Sequence, residues 1–202
     1  MSKFKNYLNE KLDEDKIIQL LKPCKPYISD WKKSGFYHYL YSGRKNLTVN
    51  WFERKVRKNR IPKSTPVEIH NIIDKRFQDA FGIKARSQTI FCVSDINTAK
   101  YYGNPYYIFP KGKYEIIWSN EIDDLYTNLS EWIAFNEKSL KDIPVLEKLN
   151  KDFEPHKKYF DYLENKFPVK KLYQKGNLKQ ALDFGYEIML YCKEYVGIKW
   201  PN

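Results

Sequence analysis

Histidine, cysteine and glycine are scarce in this chain of 202 residues, which has 3, 3 and 8 of them respectively. The histidines are His38, His70 and His156, and none stands at metal-ligand spacing from a cysteine or an acidic residue. We therefore expect no metal site. Because the few glycines never cluster, the sequence also lacks a Walker loop and a dinucleotide-binding fingerprint.

The three cysteines are Cys24, Cys92 and Cys192, which are isolated and show no CxxC spacing. This pattern predicts small buried hydrophobic side chains in a reducing compartment, and neither disulfides nor a redox motif. The N-terminus has no apolar signal region, and no apolar run approaches the length of a membrane span. We expect a cytoplasmic protein without membrane contact.

Acidic residues are too few to balance the basic ones, with 25 against 36 and a formal net charge of +11. The excess is concentrated between Arg44 and Lys63, where eight basic residues face the single acid Glu53. Such a cluster predicts a nucleic-acid or phosphate contact face, and an ordinary solvated surface is the alternative. The candidate nucleic-acid-binding residues are Arg54, Lys55, Arg57, Lys58 and Arg60.

Aromatic residues, in contrast, are abundant at 17% of the chain, and 42% of the residues are hydrophobic. This content is enough for a real core in which large rings supply much of the buried surface. The length predicts one domain with an appended helical arm. We assign residues 1–35 to the arm, in which Pro23 and Pro26 are expected to end the helical pattern, and residues 36–202 to the main domain. A helical insertion is expected at about residues 130–166.

Local patterns predict the elements of the main domain. A helix is expected from an N-cap at Thr65 to a stop at Gly82, with isoleucines and phenylalanines on one stripe. A buried strand near 89–93 follows, and Asp95 is expected to cap a short helix that ends at Gly103. Two strands joined by a Pro-Lys-Gly hairpin turn are predicted over 106–118. Glu187 opens a further predicted strand.

Three of these segments, taken in order, resemble the motifs of the ADP-ribosyltransferase superfamily. LYSG (40–43) resembles its first strand, IFCVSDINTAKYYG (90–103) its second strand and helix, and EIML (187–190) the late strand that begins with the catalytic glutamate. The chain is similar to uncharacterised phage-encoded members, and its Asn-, Lys- and Ile-rich composition fits such a genome. The resemblance implies an α+β fold with a split mixed β-sheet core, an N-terminal helical arm and peripheral helices.

The same resemblance implies an NAD-dependent mono-ADP-ribosyltransferase, a glycosyltransferase that uses NAD as co-substrate and needs no metal. Glu187 would be the catalytic residue, stabilising positive charge on the ribose. Ser42 stands where the family carries arginine or histidine, and Arg44 lies on the same side of a continuing strand. The implied NAD-binding residues are Ser42, Gly43, Arg44, Phe91, Ser94 and Tyr102.

Alternative functions stay open at this point. The chain could be a catalytically degenerate basic module of the same fold that binds DNA, RNA or a host protein, and Ser42 favours that alternative. A structural phage-type protein is a third possibility. The expected partner is a macromolecular acceptor, either a nucleic acid or a nucleic-acid-associated protein, and we expect a monomer in the bacterial host cytoplasm.

Overall fold

The computed structural model describes residues 14–35, 38–61, 67–125, 167–184 and 186–200. These residues form an α+β fold, as predicted, with helices around one six-stranded sheet. The α-helices are α1 Glu14–Leu21, α2 Lys25–Lys33, α3 Val67–Phe81, α4 Ala85–Gln88, α5 Ile96–Tyr101, α6 Val169–Leu172 and α7 Leu178–Phe184. The strands are β1 Tyr41–Arg44, β2 Trp51–Lys55, β3 Ile90–Cys92, β4 Asn104–Trp118, β5 Gln174–Lys175 and β6 Ile188–Lys199.

The two long strands β4 and β6 pair along most of their length and form the spine of the sheet. The first half of β4 pairs with β1 and its end pairs with β5, whereas the first half of β6 pairs with β3 and its second half with β2. All pairings among the described strands are antiparallel, so the expectation of a mixed sheet is wrong for them. Strands β2 and β3 thus lie along the same edge of β6, one after the other.

Strand β3 also reaches the far edge of the spine. The residue after it, Val93, exchanges two backbone hydrogen bonds with Tyr41 at the start of β1, with N···O distances of 2.8 and 2.9 Å. Since β1 pairs with β4 and β3 pairs with β6, the strands β1, β4, β6 and β3 form a closed circuit. This circuit brings the first and second predicted motifs together.

Strand β4 is continuous where the sequence predicts a hairpin. Pro110 is buried within the strand, opposite Tyr195 of β6. The register with β6 shifts between Lys111 and Tyr114, and Gly112 adopts a φ of 66° there. A Pro-Lys-Gly sequence suits a bulge as well as a turn, and pairing with the distant β6 decides between them.

The N-terminal helices pack on the face of β4. Helix α1 ends at Leu21, two residues before Pro23, as the prolines predict, but the chain continues through a 3-10 turn at Lys22–Cys24 into α2. Pro23 and Pro26 each occupy the first turn of the helix that holds them, where the missing N–H costs nothing. Tyr27 makes edge contacts with the rings of Phe109 and Tyr114, at centroid distances of 6.0 and 5.5 Å. The described part of the arm is thus a layer of the core.

The opposite face of the sheet is covered by α3. Its buried residues Ile73 and Phe77 pack with Ile117 of β4 and Met189 of β6. The chain neighbours of those two strand residues point to the other face, where they pack in one core with the N-terminal helices. The predicted glycine stop is confirmed, because Gly82 follows the helix with a φ of 76°. The predicted cysteine burial is confirmed as well, and burial raises the pKa of the Cys24 and Cys192 thiols to about 12.

Several predicted features lie outside the described residues, namely positions 1–13 of the arm, the N-cap Thr65 and the insertion at 130–166. Across the segments that the structure does describe, no helix combines the length and the apolar character needed to cross a bilayer.

Candidate functional site

A cleft of about 670 Å³ opens where β1, β2 and β3 meet the residue before β6. Its lining includes six cationic and three acidic side chains. We call this site the basic cleft. Its charged residues are Arg44, Arg54, Lys55, Arg57, Arg60, Arg86, Asp123, Asp124 and Glu187. Its volume lies within the range of about 300–1,000 Å³ that is typical of ligand sites.

Glu187 lies in the wall of the basic cleft with only 8% of its surface exposed. One carboxylate oxygen, Oε1, is 3.3 Å from Nη1 of Arg86, and the other, Oε2, accepts a hydrogen bond from the backbone N–H of Leu125 at 3.3 Å. Burial raises the pKa of Glu187 above its ordinary value, the Arg86 guanidinium opposes that change, and the Asp124 carboxylate adds to it. The group is a desolvated carboxylate held from two sides.

Arg86 is a site residue that the sequence motifs did not identify. It lies in α4 directly before β3, and its guanidinium is 4.8 Å from the ring centre of Phe91 as well as beside Glu187. Its neighbours Lys84, Ser87 and Gln88 are also polar, so no signal in the local sequence set Arg86 apart. Its side chain is 10% exposed, so the ion pair with Glu187 is a buried one.

A second buried polar group supports Arg86 from behind. Asp74 accepts hydrogen bonds from the backbone N–H groups of Arg86 and Ser87, at 2.7 and 3.2 Å, and from the Ser87 hydroxyl. His70 Nε2 lies 2.9 Å from Ser87 Oγ. These three residue types occur in hydrolase triads, but here none of them lines the basic cleft. Their contacts fix α4 and hence the position of Arg86.

Ser42 and Arg44 of the first strand both line the basic cleft, but the Ser42 hydroxyl is engaged by the protein itself. The Ser42 hydroxyl donates a hydrogen bond to the backbone oxygen of Phe91 at 2.9 Å, and it therefore ties β1 to β3. Arg44 Nη2 donates to the Tyr195 hydroxyl at 3.2 Å, and the guanidinium lies 5.8 Å from the centre of that ring. Arg44 lines the basic cleft on the same side of the strand as Ser42.

Gly43 acts through close packing. A Cβ atom at this position would lie 2.1 Å from the backbone oxygen of Ala99 and 2.8 Å from Cβ of Tyr102. The absence of a side chain thus lets β1 lie against the end of α5. This contact sets Arg44 beside Tyr102, whose ring lines the basic cleft and whose hydroxyl donates to Asp124 at 3.4 Å.

The remaining two residues that the resemblance implied for NAD binding are engaged by the protein itself. The Phe91 ring lies 4.2 Å from the guanidinium carbon of Arg60 and 4.8 Å from that of Arg86, so cations contact it. The Ser94 hydroxyl is buried and donates to the backbone oxygen of Leu182 at 2.5 Å. Ser94 does not line the basic cleft; it joins the turn after β3 to α7.

The basic segment predicted from the sequence forms one side of this same cleft. Arg54 and Lys55 of β2, together with Arg57, are exposed and line it, whereas Lys58 is exposed and does not. Arg60 lines it too, and burial lowers the pKa of its guanidinium to about 10. The predicted nucleotide pocket and the predicted nucleic-acid surface are therefore two walls of one site.

We call Glu187, Arg86 and Phe91 the inner wall of the basic cleft, and Arg54, Lys55 and Arg57 its outer wall.

Among the described residues, no group of three or more histidine, cysteine or acidic side chains is arranged to hold a metal ion. Comparison with known proteins returned no matching family model, curated protein or solved structure.

Proposed function

We propose that the protein transfers ADP-ribose from NAD to a macromolecular acceptor, with an ADP-ribosyltransferase-like arrangement of its strands. The observation that carries this proposal is that Glu187 and Arg44 line the same cleft, although they are 143 positions apart in the sequence. They come from two different motifs of the resemblance, and the sequence has no dinucleotide-binding fingerprint. The closed circuit of β1, β4, β6 and β3 supports the proposed arrangement.

The chemistry assigns roles to Glu187, Arg44 and Tyr102. Cleavage of the bond between nicotinamide and ribose gives its electron pair to nicotinamide and leaves positive charge on the sugar. The buried Glu187 carboxylate stabilises that charge, because a preorganised anion in a desolvated site is far more effective than one in water. Arg44 neutralises phosphate, and the Tyr102 ring offers a stacking surface. The acceptor then forms a bond to the sugar carbon and loses a proton.

Nicotinamide release from NAD tests the proposal. Wild-type protein is expected to release it, and Glu187→Gln should lower the rate by a factor of about 100 or more, the usual loss for such an electrostatic partner. Glu194→Gln is the matched control, since Glu194 lies on β6 but not in the lining of the cleft. Equal rates for wild type and Glu187→Gln would contradict the proposal.

A second candidate function is a non-enzymatic module that binds a polyanion in the same cleft. The Arg86–Glu187 ion pair favours it, because the pair occupies the carboxylate with a residue of the protein itself. Under this alternative, NAD is not consumed, and Glu187→Gln leaves the binding of a labelled oligonucleotide unchanged. Nicotinamide release by the wild type that is lost in Glu187→Gln would exclude it.

A further inference from the structure

The outer wall carries more positive charge than a dinucleotide needs. Arg44 lines the cleft from β1, where we propose that it binds the phosphates of NAD, and Arg86 is paired with Glu187. Arg54, Lys55 and Arg57 remain on β2 and just beyond it, all exposed and all lining the cleft. Three exposed cations within four positions of the chain suit a polymer of phosphates, because two phosphates alone would leave some of these charges without an anionic partner.

Strand β2 is the terminal strand of the sheet order, and no described strand covers its outer edge. Arg54 extends its guanidinium over the Phe52 ring at 5.0 Å, which holds that charge at the strand surface. Two of the three charges, those of Arg54 and Lys55, are thus carried on a strand that is paired with β6, and Arg57 follows just beyond its end.

Two exposed tyrosines stand together at the end of α5, and one of them, Tyr102, lines the cleft whereas Tyr101 lies next to it in the chain. Whereas most large rings among the described residues are buried or partly buried, Tyr101 is 84% exposed and Tyr102 is 44% exposed. Their ring centres are 5.4 Å apart with an interplanar angle of 86°, and Tyr102 lines the cleft. A basic groove beside exposed aromatic rings is the arrangement that binds single-stranded nucleic acid, in which unpaired bases stack on the rings.

We propose that the basic cleft binds single-stranded nucleic acid, with its phosphates on the outer wall and a base stacked on Tyr101. This inference deepens the proposed function, because it names a single strand as the acceptor held beside Glu187. An acidic protein segment would use the same cations but would have no bases to place on Tyr101. DNA and RNA share the required chemistry, and the experiment separates them.

Fluorescence anisotropy with labelled oligo-dT and oligo-rU of about 16 nucleotides, the upper end of known site sizes, measures the binding. The outer-wall variant is Arg54→Gln/Lys55→Gln. The control is Lys45→Gln/Lys58→Gln, which removes the same charge from exposed residues outside the lining. At about 0.7 in salt slope per phosphate contact, the outer-wall variant should lower the slope by about 1.4 and the affinity at 0.1 M salt roughly 25-fold. Equal weakening by both variants would overturn the proposal.

The stacking part has its own test. Tyr101→Ser should weaken oligonucleotide binding roughly 5- to 150-fold, the loss expected from one base–aromatic stack. Tyr191→Ser is the control, since Tyr191 is a half-exposed tyrosine of β6 outside the lining. Heparin supplies charge without bases, so its binding should be insensitive to Tyr101→Ser. Duplex DNA bound as tightly as the single strand, or no effect of Tyr101→Ser on either oligonucleotide, would overturn the proposal.

The two proposals fail in different ways. Binding of the oligonucleotide is measured without NAD, and Glu187→Gln should retain it. Tight, outer-wall-dependent binding together with no nicotinamide release would sink the enzymatic function and leave the single-strand site standing. Nicotinamide release that depends on Glu187, together with no oligonucleotide binding, would do the opposite.

Discussion

The two walls of the basic cleft carry charge in contrasting ways. On the inner wall, Arg86 and Glu187 are buried and paired with each other. The backbone N–H of Arg86 donates to Asp74, and Glu187 accepts from the backbone N–H of Leu125. On the outer wall, Arg54, Lys55 and Arg57 are exposed. A buried ion pair is stable only when both partners are present, because either one alone is an uncompensated charge in the protein interior. Exposed cations act singly and are screened by salt. The inner wall therefore fixes the positions of its side chains in the cleft, and the outer wall supplies the positive charge that attracts an anionic ligand.

The strongest test of this contrast removes one inner partner. Arg86→Gln should lower the free energy of unfolding by about 3–5 kcal/mol, because it leaves Glu187 buried without its partner. Urea denaturation measures the change. The control is Lys111→Gln, which breaks the 2.6 Å ion pair with the half-exposed Glu53 and should cost about 0–1 kcal/mol. If the two variants lose equal stability, the distinction between the walls is wrong.

The double variant Arg86→Gln/Glu187→Gln sharpens the same point. Removing both charges removes the uncompensated one, so the loss of stability should be smaller than for Arg86→Gln alone. A double variant less stable than Arg86→Gln would show that the two side chains contribute independently.

A smaller effect is expected one layer behind the inner wall. Asp74→Asn leaves one oxygen to accept the hydrogen bonds from the backbone of Arg86 and Ser87 and from the Ser87 hydroxyl. We expect a loss of about 1–3 kcal/mol in the free energy of unfolding. Asp79→Asn, an exposed position of the same helix, should change it by less than about 0.5 kcal/mol. A loss at Asp79 as large as that at Asp74 would show that the helix, and not the buried group, is responsible.

The smallest expected effect is a shift in pH dependence. Under the proposed function, nicotinamide release needs ionised Glu187, so the rate should fall as pH drops through a pKa that lies above the ordinary value of 4.5. Asp124→Asn removes a negative charge that raises this pKa, and it should move the acid limb of the rate profile to lower pH. Asp123→Asn serves as the neighbouring control. A limb that moves upward, or equally in both variants, would contradict the assignment.

Local patterns predicted much of this arrangement. The helix that ends at Gly82, the strand at 90–92 and the Asp95 cap depend on nearest neighbours along the chain, and each is present. Asp95 accepts the Thr98 backbone N–H at 2.6 Å, as an N-cap should. Such features are accessible from sequence because the interactions that decide them lie within one or two turns.

Features decided by distant partners were not predictable in the same way. The continuity of β4 through Pro110 depends on β6, about 85 residues later, and the layer made by α1 and α2 depends on the face of β4. The place of Arg86 in the cleft depends on the packing of α4 against Glu187, which is 101 positions away in the sequence. The union of the basic segment with the predicted nucleotide pocket likewise follows from both β2 and β3 pairing with β6.

The bridge between Tyr41 and Val93 has a consequence for how such a cleft can change over time. Two main-chain hydrogen bonds complete the closed circuit of β1, β4, β6 and β3, and main-chain hydrogen bonds do not depend on which side chains these strands carry. The distance between β1 and the residue before β6 therefore stays constant when the side chains that line the cleft are replaced. A lineage could replace Arg44 or Glu187 and alter what the closed circuit binds without altering its width.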